Sequence, residues 1–264
     1  MFPFDIGNLG ASFKRYFEIV PALTDELRDH AYRIRHEVYC EDLKYEPQRS
    51  DRRESDEYDA HSLHCLIRSV KTGEFAGCTR LILCRPDDPH YPLPFERTCA
   101  QTIDRSIIDP QTLSRRKIAE VSRLAVVSRF RTRRGERHSP APLSDESFGT
   151  GVMPRFPYVP VALYLATTEL AALHGIHTMF LLSEPRLVRH FARLGVDIIQ
   201  IGDEVEHRGT RIPSVVNVRK IIEGLNFIMR PLYDVVAREV RDGVREQPEQ
   251  EPQLQRGAVI GSGA

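Results

Sequence analysis

The chain has 264 residues, 41% of them hydrophobic and 28% charged, which is enough for one large domain or two small ones with a full core. Lys+Arg and Asp+Glu both number 37, so the net charge is zero and bulk electrostatics favour no acidic or basic partner. The 5 cysteines are odd in number and form no C-x-x-C, which argues against a disulfide or zinc framework and for reduced thiols in a cytoplasmic protein.

The first twenty residues lack a basic start followed by a long apolar run, so they do not read as a signal peptide. No stretch approaches the roughly 20 apolar residues of a membrane span. Phe13, Tyr16, Phe17 and Val20 form an apolar strip, and 17–20 predicts a first strand ending at Pro21. Thr24 is the expected N-cap of a helix over 25–39, with Asp25 and Glu26 in its first turn. Leu27, Ala31, Ile34 and Val38 set its apolar stripe. Arg33 and Arg35 read most simply as a solvated face of that helix.

Residues 41–60 are a polar, acid-rich loop, and a loop this long is usually functional or disordered. Tyr45 and Tyr58 argue that it is anchored. Two β-type runs, 64–70 and 75–83, flank Thr72-Gly73-Glu74 and predict a hairpin, with Arg80 in mid-strand. Prolines 86, 89, 92, 94 and 110 mark 85–114 as an irregular surface excursion.

The stretch 119–127, AEVSRLAVV, reads as a central strand covered on both faces. Its opening charges cost several kcal/mol unless paired, so Glu120 and Arg123 form a structural ion pair or work on a ligand. Strict alternation puts them on opposite faces, so one site takes both only if the strand is bulged or the site wraps its edge. Cations flank both ends of this strand: Arg115, Arg116 and Lys117 before it, then Arg129, Arg131, Arg133, Arg134 and Arg137. They suggest an acidic or phosphate-bearing partner, or else a solvated loop.

Residues 158–174 predict a helix ending at His174-Gly175. Then come a strand over 176–182, a helix over 187–194, strands over 196–202 and 212–218, and a helix over 220–240 broken near Arg230-Pro231. The composition predicts a folded domain over 1–242 and a disordered tail over 243–264. The order implies an α/β layered domain with a mixed sheet.

The common nucleotide fingerprints and the G-x-S-x-G elbow are absent from the sequence. The pairs His61/His64 and His174/His177 have helical metal-binding spacing but no third ligand nearby, so no metal is expected. The arginine run lacks interleaved aromatics, so no nucleic-acid partner is expected.

Four motifs occur in a recognisable order. Arg35-His36-Glu37-Val38-Tyr39 with Tyr45, Glu54-Ser55-Asp56-Glu57-Tyr58-Asp59, Gly77-Cys78-Thr79-Arg80-Leu81 and Glu120-Val121-Ser122-Arg123 resemble those of the acyl-homoserine lactone (autoinducer) synthases, members of the GNAT acyltransferase superfamily. Tyr45 stands where those synthases have Trp, which this chain lacks, and that speaks against lactone formation from S-adenosylmethionine. Residues 155–218 more closely resemble long-chain N-acyl amino acid synthases and acyltransferases associated with PEP-CTERM/exosortase systems, through Pro160–166, Glu184-Pro185-Arg186-Leu187 and His207-Arg208-Gly209-Thr210-Arg211-Ile212-Pro213.

The resemblance implies a GNAT-like three-layer α/β/α domain around a twisted, mixed, mostly antiparallel sheet. It implies transfer of a long-chain acyl group from acyl carrier protein to the amine of an amino acid or similar small amine. The only cofactor implied is the donor's phosphopantetheine thioester. Glu120 is the expected base, and Arg123 the expected partner that holds the acidic loop with Arg80. Arg35, Tyr39, Tyr45, Asp56, Asp59, Arg80, Val121, Ser122, Leu124 and Tyr164 are the expected substrate-binding residues. Arg115, Arg116, Lys117, Arg129, Arg131, Arg133 and Arg134 are the expected docking rim for the carrier protein. Membrane contact is expected only peripherally, through the lipid product. The competing expectations are a CoA-dependent N-acetyltransferase and a non-catalytic acyl-carrier or lipid-binding module.

Overall fold

A computed structural model of the chain describes residues 9–131, 158–193 and 195–246. Helix α1 (Leu9–Tyr16) runs directly into β1 (Phe17–Pro21), with Leu9 and Phe13 buried. The sequence signalled α1 only as part of an apolar strip, whereas β1 forms where a first strand was expected. Helix α2 (Asp25–Arg35) starts where expected: the Thr24 hydroxyl accepts the Leu27 N–H at 3.3 Å. It does not continue to 39 as an α-helix. It widens into a π-helical turn, His36–Asp42, in which Leu43 N–H bonds Val38 C=O at 3.0 Å. Such wide turns recur at functional sites.

The hairpin β2 (Ser62–Ser69) and β3 (Phe75–Leu83) forms as predicted, with Gly73 at φ 71° in its turn. After β3 come α3 (Pro94–Thr98), β4 (Ile118–Val126), α4 (Ser128–Arg131), α5 (Tyr158–Leu173), β5 (Thr178–Ser183) and α6 (Pro185–Arg193). The strand expected over 196–202 is only the two-residue β6 (Ile199–Gln200), followed by β7 (Val205–Glu206) and β8 (Thr210–Asn217). Helices α7 (Val218–Gly224) and α8 (Arg230–Glu246) close the described part, split at Arg230 as expected.

The sheet order is β1-β2-β3-β4-β5-β8-β6, with β7 beside β8, and β4 lies at its centre. Among the described residues only β4 and β5 pair in parallel, and the other strand pairings are antiparallel. Helix α5 is buried from Tyr158 through Ala171, because it lies between one sheet face and α8. Helix α2 and the 85–114 segment cover the other face, which makes three layers.

Two expectations are corrected. The 85–114 segment is not merely a surface excursion: Leu93, Phe95 and Cys99 are buried, and Phe95 stacks on Phe180 of β5 with ring centroids 4.2 Å apart. Nor does order end at 242. Helix α8 continues to Glu246, and Gly243 lies so close to Pro21 that a Cβ there would meet its Cδ at 2.8 Å. The rest of the expected tail, 247–264, lies outside the described residues. No helix among the described residues is long and apolar enough to cross a membrane.

Candidate active site

The site is built on one irregularity in β4. Cys78 pairs with Ala125 and Arg80 with Ser122, so three steps on β4 face two on β3. The extra residue is accommodated at Arg123, whose φ is +53°. This is a β-bulge, and it removes the alternation that would separate Glu120 from Arg123. Both side chains meet elements that cover the α2 face.

On that face three arginines meet three carboxylates. Arg35 binds Glu54 through Nε at 2.5 Å and Asp59 through both Nη atoms at 2.7 and 3.1 Å. Arg80 binds Asp56 at 2.6 and 3.1 Å and Asp59 at 2.8 Å, while its Nε donates to Ser122 Oγ at 3.0 Å. Arg123 binds Glu54 at 2.9 Å and Asp56 at 3.1 Å. Arg35 is therefore no solvated residue but a fully buried one. The bidentate forks give directional strength that a lysine could not supply. Burial pushes the Glu54 carboxyl up, yet the Arg123 and Arg35 contacts outweigh it and hold Glu54 at about 2. Asp59 is held well below the usual range against the same burial, mainly by Arg35. His64, buried beside Asp59 at 3.5 Å, is pushed down to about 3 by burial and adds no charge. The expected loop anchoring is thus present, and Glu54 is the partner that the sequence did not single out.

Glu120 differs. It is 3% exposed, and its one hydrogen bond from the described residues is the Phe95 N–H to Oε2 at 2.8 Å. Burial pushes its pKa up to about 8, against the lowering by that N–H and by Arg80 and Arg123. A buried carboxyl poised near neutrality in a cleft is a candidate proton-transfer group.

The cleft arises where the sheet opens. The β4–β5 ladder runs from Ile118↔Thr178 to Val121↔Leu181 and stops, although β4 continues to Val126 and β5 to Ser183. Beyond Val121 the β5-facing edge of β4 has no strand beside it among the described residues, and its amides border a cavity of about 300 Å³. One side is polar, with Asp56, Tyr58, Arg80, Thr98, Glu120 and Ser122; the other is apolar, with Val121, Leu124, Tyr164, Leu181, Leu187 and Phe191. Tyr39 and Tyr45 line it too, and the Tyr39 hydroxyl donates to Leu124 C=O at 3.0 Å. The buried hydroxyls of Tyr58 and Tyr164 have no hydrogen-bond partner among the described residues. Ten of the twelve expected catalytic and substrate-binding residues thus line the cleft; Arg35 and Asp59 stand behind it in the network.

The β7–β8 hairpin also reaches the cleft through His207, Arg208 and Arg211. Arg208 contacts Glu46 of the acidic loop, and Arg211 approaches Glu184 at 3.3 Å. These residues belong to the 207–213 motif, to which the sequence alone assigns no role.

The expected docking rim is not one surface. Arg115, Arg116 and Lys117 stand before β4 and Arg129 after it, at opposite ends of a nine-residue strand. Arg115 is held by Glu96 at 2.8 Å and Arg129 by Glu37 at 3.1 Å. The backbone of Arg131 closes α4, and Arg133 and Arg134 lie outside the described residues. Among the described residues no group of three or more His, Cys, Asp or Glu is placed to hold a metal ion.

Residues 34–139 match the acetyltransferase (GNAT) domain family. No curated protein matches the chain. Solved structures do. The acyl-homoserine lactone synthase LasI is 17% identical with a TM-score of 0.54, over 83% of this chain and 94% of that one. The CoA-dependent acyl-homoserine lactone synthase BjaI, solved with SAM and isopentyl-CoA, is 18% identical with a TM-score of 0.54, over 86% and 89%. FeeM, an N-acyl amino acid synthase from uncultured soil microbes, is 16% identical with a TM-score of 0.50, over 81% and 97%. The family match covers both the acidic loop and β4, and these solved structures share the chain's three-layer α/β fold.

Proposed function

We propose that the protein transfers a long-chain fatty acyl group from the thioester of acyl carrier protein to the amine of an amino acid or similar small amine. The observation that carries this reading is Glu120: a buried carboxyl with pKa about 8, on the polar wall of a cleft whose other wall is apolar. The acyl chain lies along Val121, Leu181, Leu187 and Phe191, where Tyr164 packs on Phe191 at 4.3 Å. The thioester carbonyl faces the unpaired β4 edge, whose amides stabilise the developing oxyanion. The amine enters from the acidic-loop side. Its nitrogen attacks the carbonyl carbon as Glu120, directly or through water, takes its proton; the carbon–sulfur bond then breaks. Arg35, Arg80 and Arg123 act as positioning residues, because their guanidinium groups are engaged by the protein's own carboxylates.

Carrier protein as donor rests on the sequence after β4. Arg131-Thr132-Arg133-Arg134-Gly135-Glu136-Arg137 is bulkier and more basic than the R-x-x-G-x-[GA] turn that cradles the CoA pyrophosphate in CoA-using acetyltransferases. The similarity of 155–218 to exosortase-associated acyltransferases belongs to the same proposal.

The test is incubation with long-chain acyl carrier protein and an amino-acid pool, read by mass spectrometry. An N-acyl amino acid is the expected product. No product, with the acyl donor verified as intact, overturns the reading; transfer from acyl-CoA alone overturns the donor assignment.

A further inference from the structure

We propose that Arg208, in the β7–β8 turn, receives a carboxylate of the acceptor, so that the enzyme acylates amines that carry a carboxylate. This rests on the transferase reading above and names its acceptor class.

The argument starts from what the floor of the cleft cannot do. Arg35, Arg80 and Arg123 are matched one for one by Glu54, Asp56 and Asp59 in short, mostly forked contacts. No cation of that network is left for a ligand. Arg208 is different. It lines the cleft, its side chain is 32% exposed, and its ion pair among the described residues is with Glu46, between Nη2 and Oε1 and without a fork of hydrogen bonds. Arg211 beside it carries the turn by donating to Arg208 C=O at 2.8 Å.

The backbone supports a purpose for this side chain. Arg208 sits at φ +56° and is followed by Gly209 at φ +92°. A left-handed turn position favours Gly or Asn, and an arginine there is held at a conformational cost. Arg123 of β4 is also left-handed, and its Nη2 lies 3.7 Å from the same Glu46 oxygen. Glu46 therefore holds a carboxylate across the mouth, between the hairpin and the central strand. An acceptor carboxylate with two oxygens would displace it and give Arg208 the fork that Glu46 does not. Its amine would then point into the polar side, toward Glu120.

The step balances without a further reagent. A nitrogen–carbon bond forms and the carbon–sulfur bond breaks with its electron pair on sulfur. The proton removed from nitrogen through Glu120 leaves with the thiol. The carboxylate is bound and unchanged.

The test compares the standard amino acids with their decarboxylated amines, using thiol release from long-chain acyl carrier protein by the full-length protein. The wild type is expected to favour the amino acids in kcat/KM, and Arg208→Gln to shrink that preference by about 10- to 100-fold through KM. Arg208→Lys, which keeps the charge and loses the fork, is expected to fall between. Equal use of both classes by the wild type, or an unchanged preference in Arg208→Gln, overturns the proposal. If neither class is acylated, the transferase reading fails on its own, and calorimetry with the same two pools decides this proposal. Carboxylate-dependent binding lost in Arg208→Gln supports it, and binding indifferent to the carboxylate or to Arg208 overturns it.

Discussion

Two buried charged regions share strand β4 and are handled in opposite ways. At Arg123 the charge is answered: three guanidinium groups face three carboxylates, and Glu54 is held at about 2 despite its burial. Three residues earlier, Glu120 has a single backbone donor and is pushed up to about 8. The same low-dielectric interior produces both results, because burial penalises a charge only to the extent that nothing pairs with it. The paired region fixes the acidic loop over the sheet. The unpaired carboxyl is left free to exchange a proton.

The comparison breaks most severely at Arg80. Arg80→Met leaves Asp56 and Asp59 facing a buried void of charge, and removal of one partner of a buried pair costs about 3–5 kcal/mol. A fall of that size in urea-unfolding free energy is expected; a loss below about 1 kcal/mol would equate the network with an exposed surface pair. Glu120→Gln gives the opposite pattern. The amide still accepts the Phe95 N–H, so the fold is retained, while acyl transfer falls about 100- to 10,000-fold if Glu120 moves the proton. Unchanged turnover at pH 7 would remove Glu120 from the chemistry.

Much of this contrast was legible in the sequence, and the exceptions have physical causes. Arg80 and Glu120 stood out because a charge inside an apolar strand demands a partner. Arg35 was also legible in principle: Ala31, Ile34 and Val38 form the buried stripe of the helix, and position 35 falls on that stripe. The bulge at Arg123 was foreseen only as a condition, since backbone conformation at a non-glycine residue leaves no compositional mark. Glu54 was hidden among neighbouring acids of similar spacing. Leu93 and Phe95 were masked by the prolines around them, although their alternation across Pro94 was a burial signal. The β7–β8 hairpin escaped because a two-residue strand has no periodicity to read.

The pH dependence sharpens the comparison. The folded pKa of Glu120 is about 8 against 4.5 for an unperturbed carboxyl, so the folded chain holds this proton while the unfolded chain has released it. Stability from this group is therefore lost as pH rises from about 4.5 to 8, by up to ~1.4 kcal/mol per pH unit. Glu54 behaves in reverse: its contribution is present above about 4.5 and is lost as pH falls toward 2. Thermal unfolding of wild type and Glu120→Gln between pH 5 and 8 is expected to diverge, the variant gaining with pH. Parallel curves would mean that Glu120 is ionised throughout. Turnover is expected to rise over the same range and level off above about 8.

The smallest expected effect lies on the apolar wall. The Tyr164 hydroxyl is buried at the cleft with no hydrogen-bond partner among the described residues, and burial pushes its pKa up. A buried hydroxyl without a partner adds nothing to stability that its removal would forfeit, so Tyr164→Phe is expected to be neutral or to stabilise by up to about 1 kcal/mol. The same change matters for activity only if that hydroxyl bonds the substrate. A Tyr164→Phe protein with unchanged urea midpoint and raised KM for the acyl donor would mark Tyr164 as a ligand contact. Unchanged kinetics would make this wall purely apolar and leave Glu120 as the buried titratable group whose missing partner serves the reaction. The two buried regions would then differ in one property, whether the protein itself completes the charge.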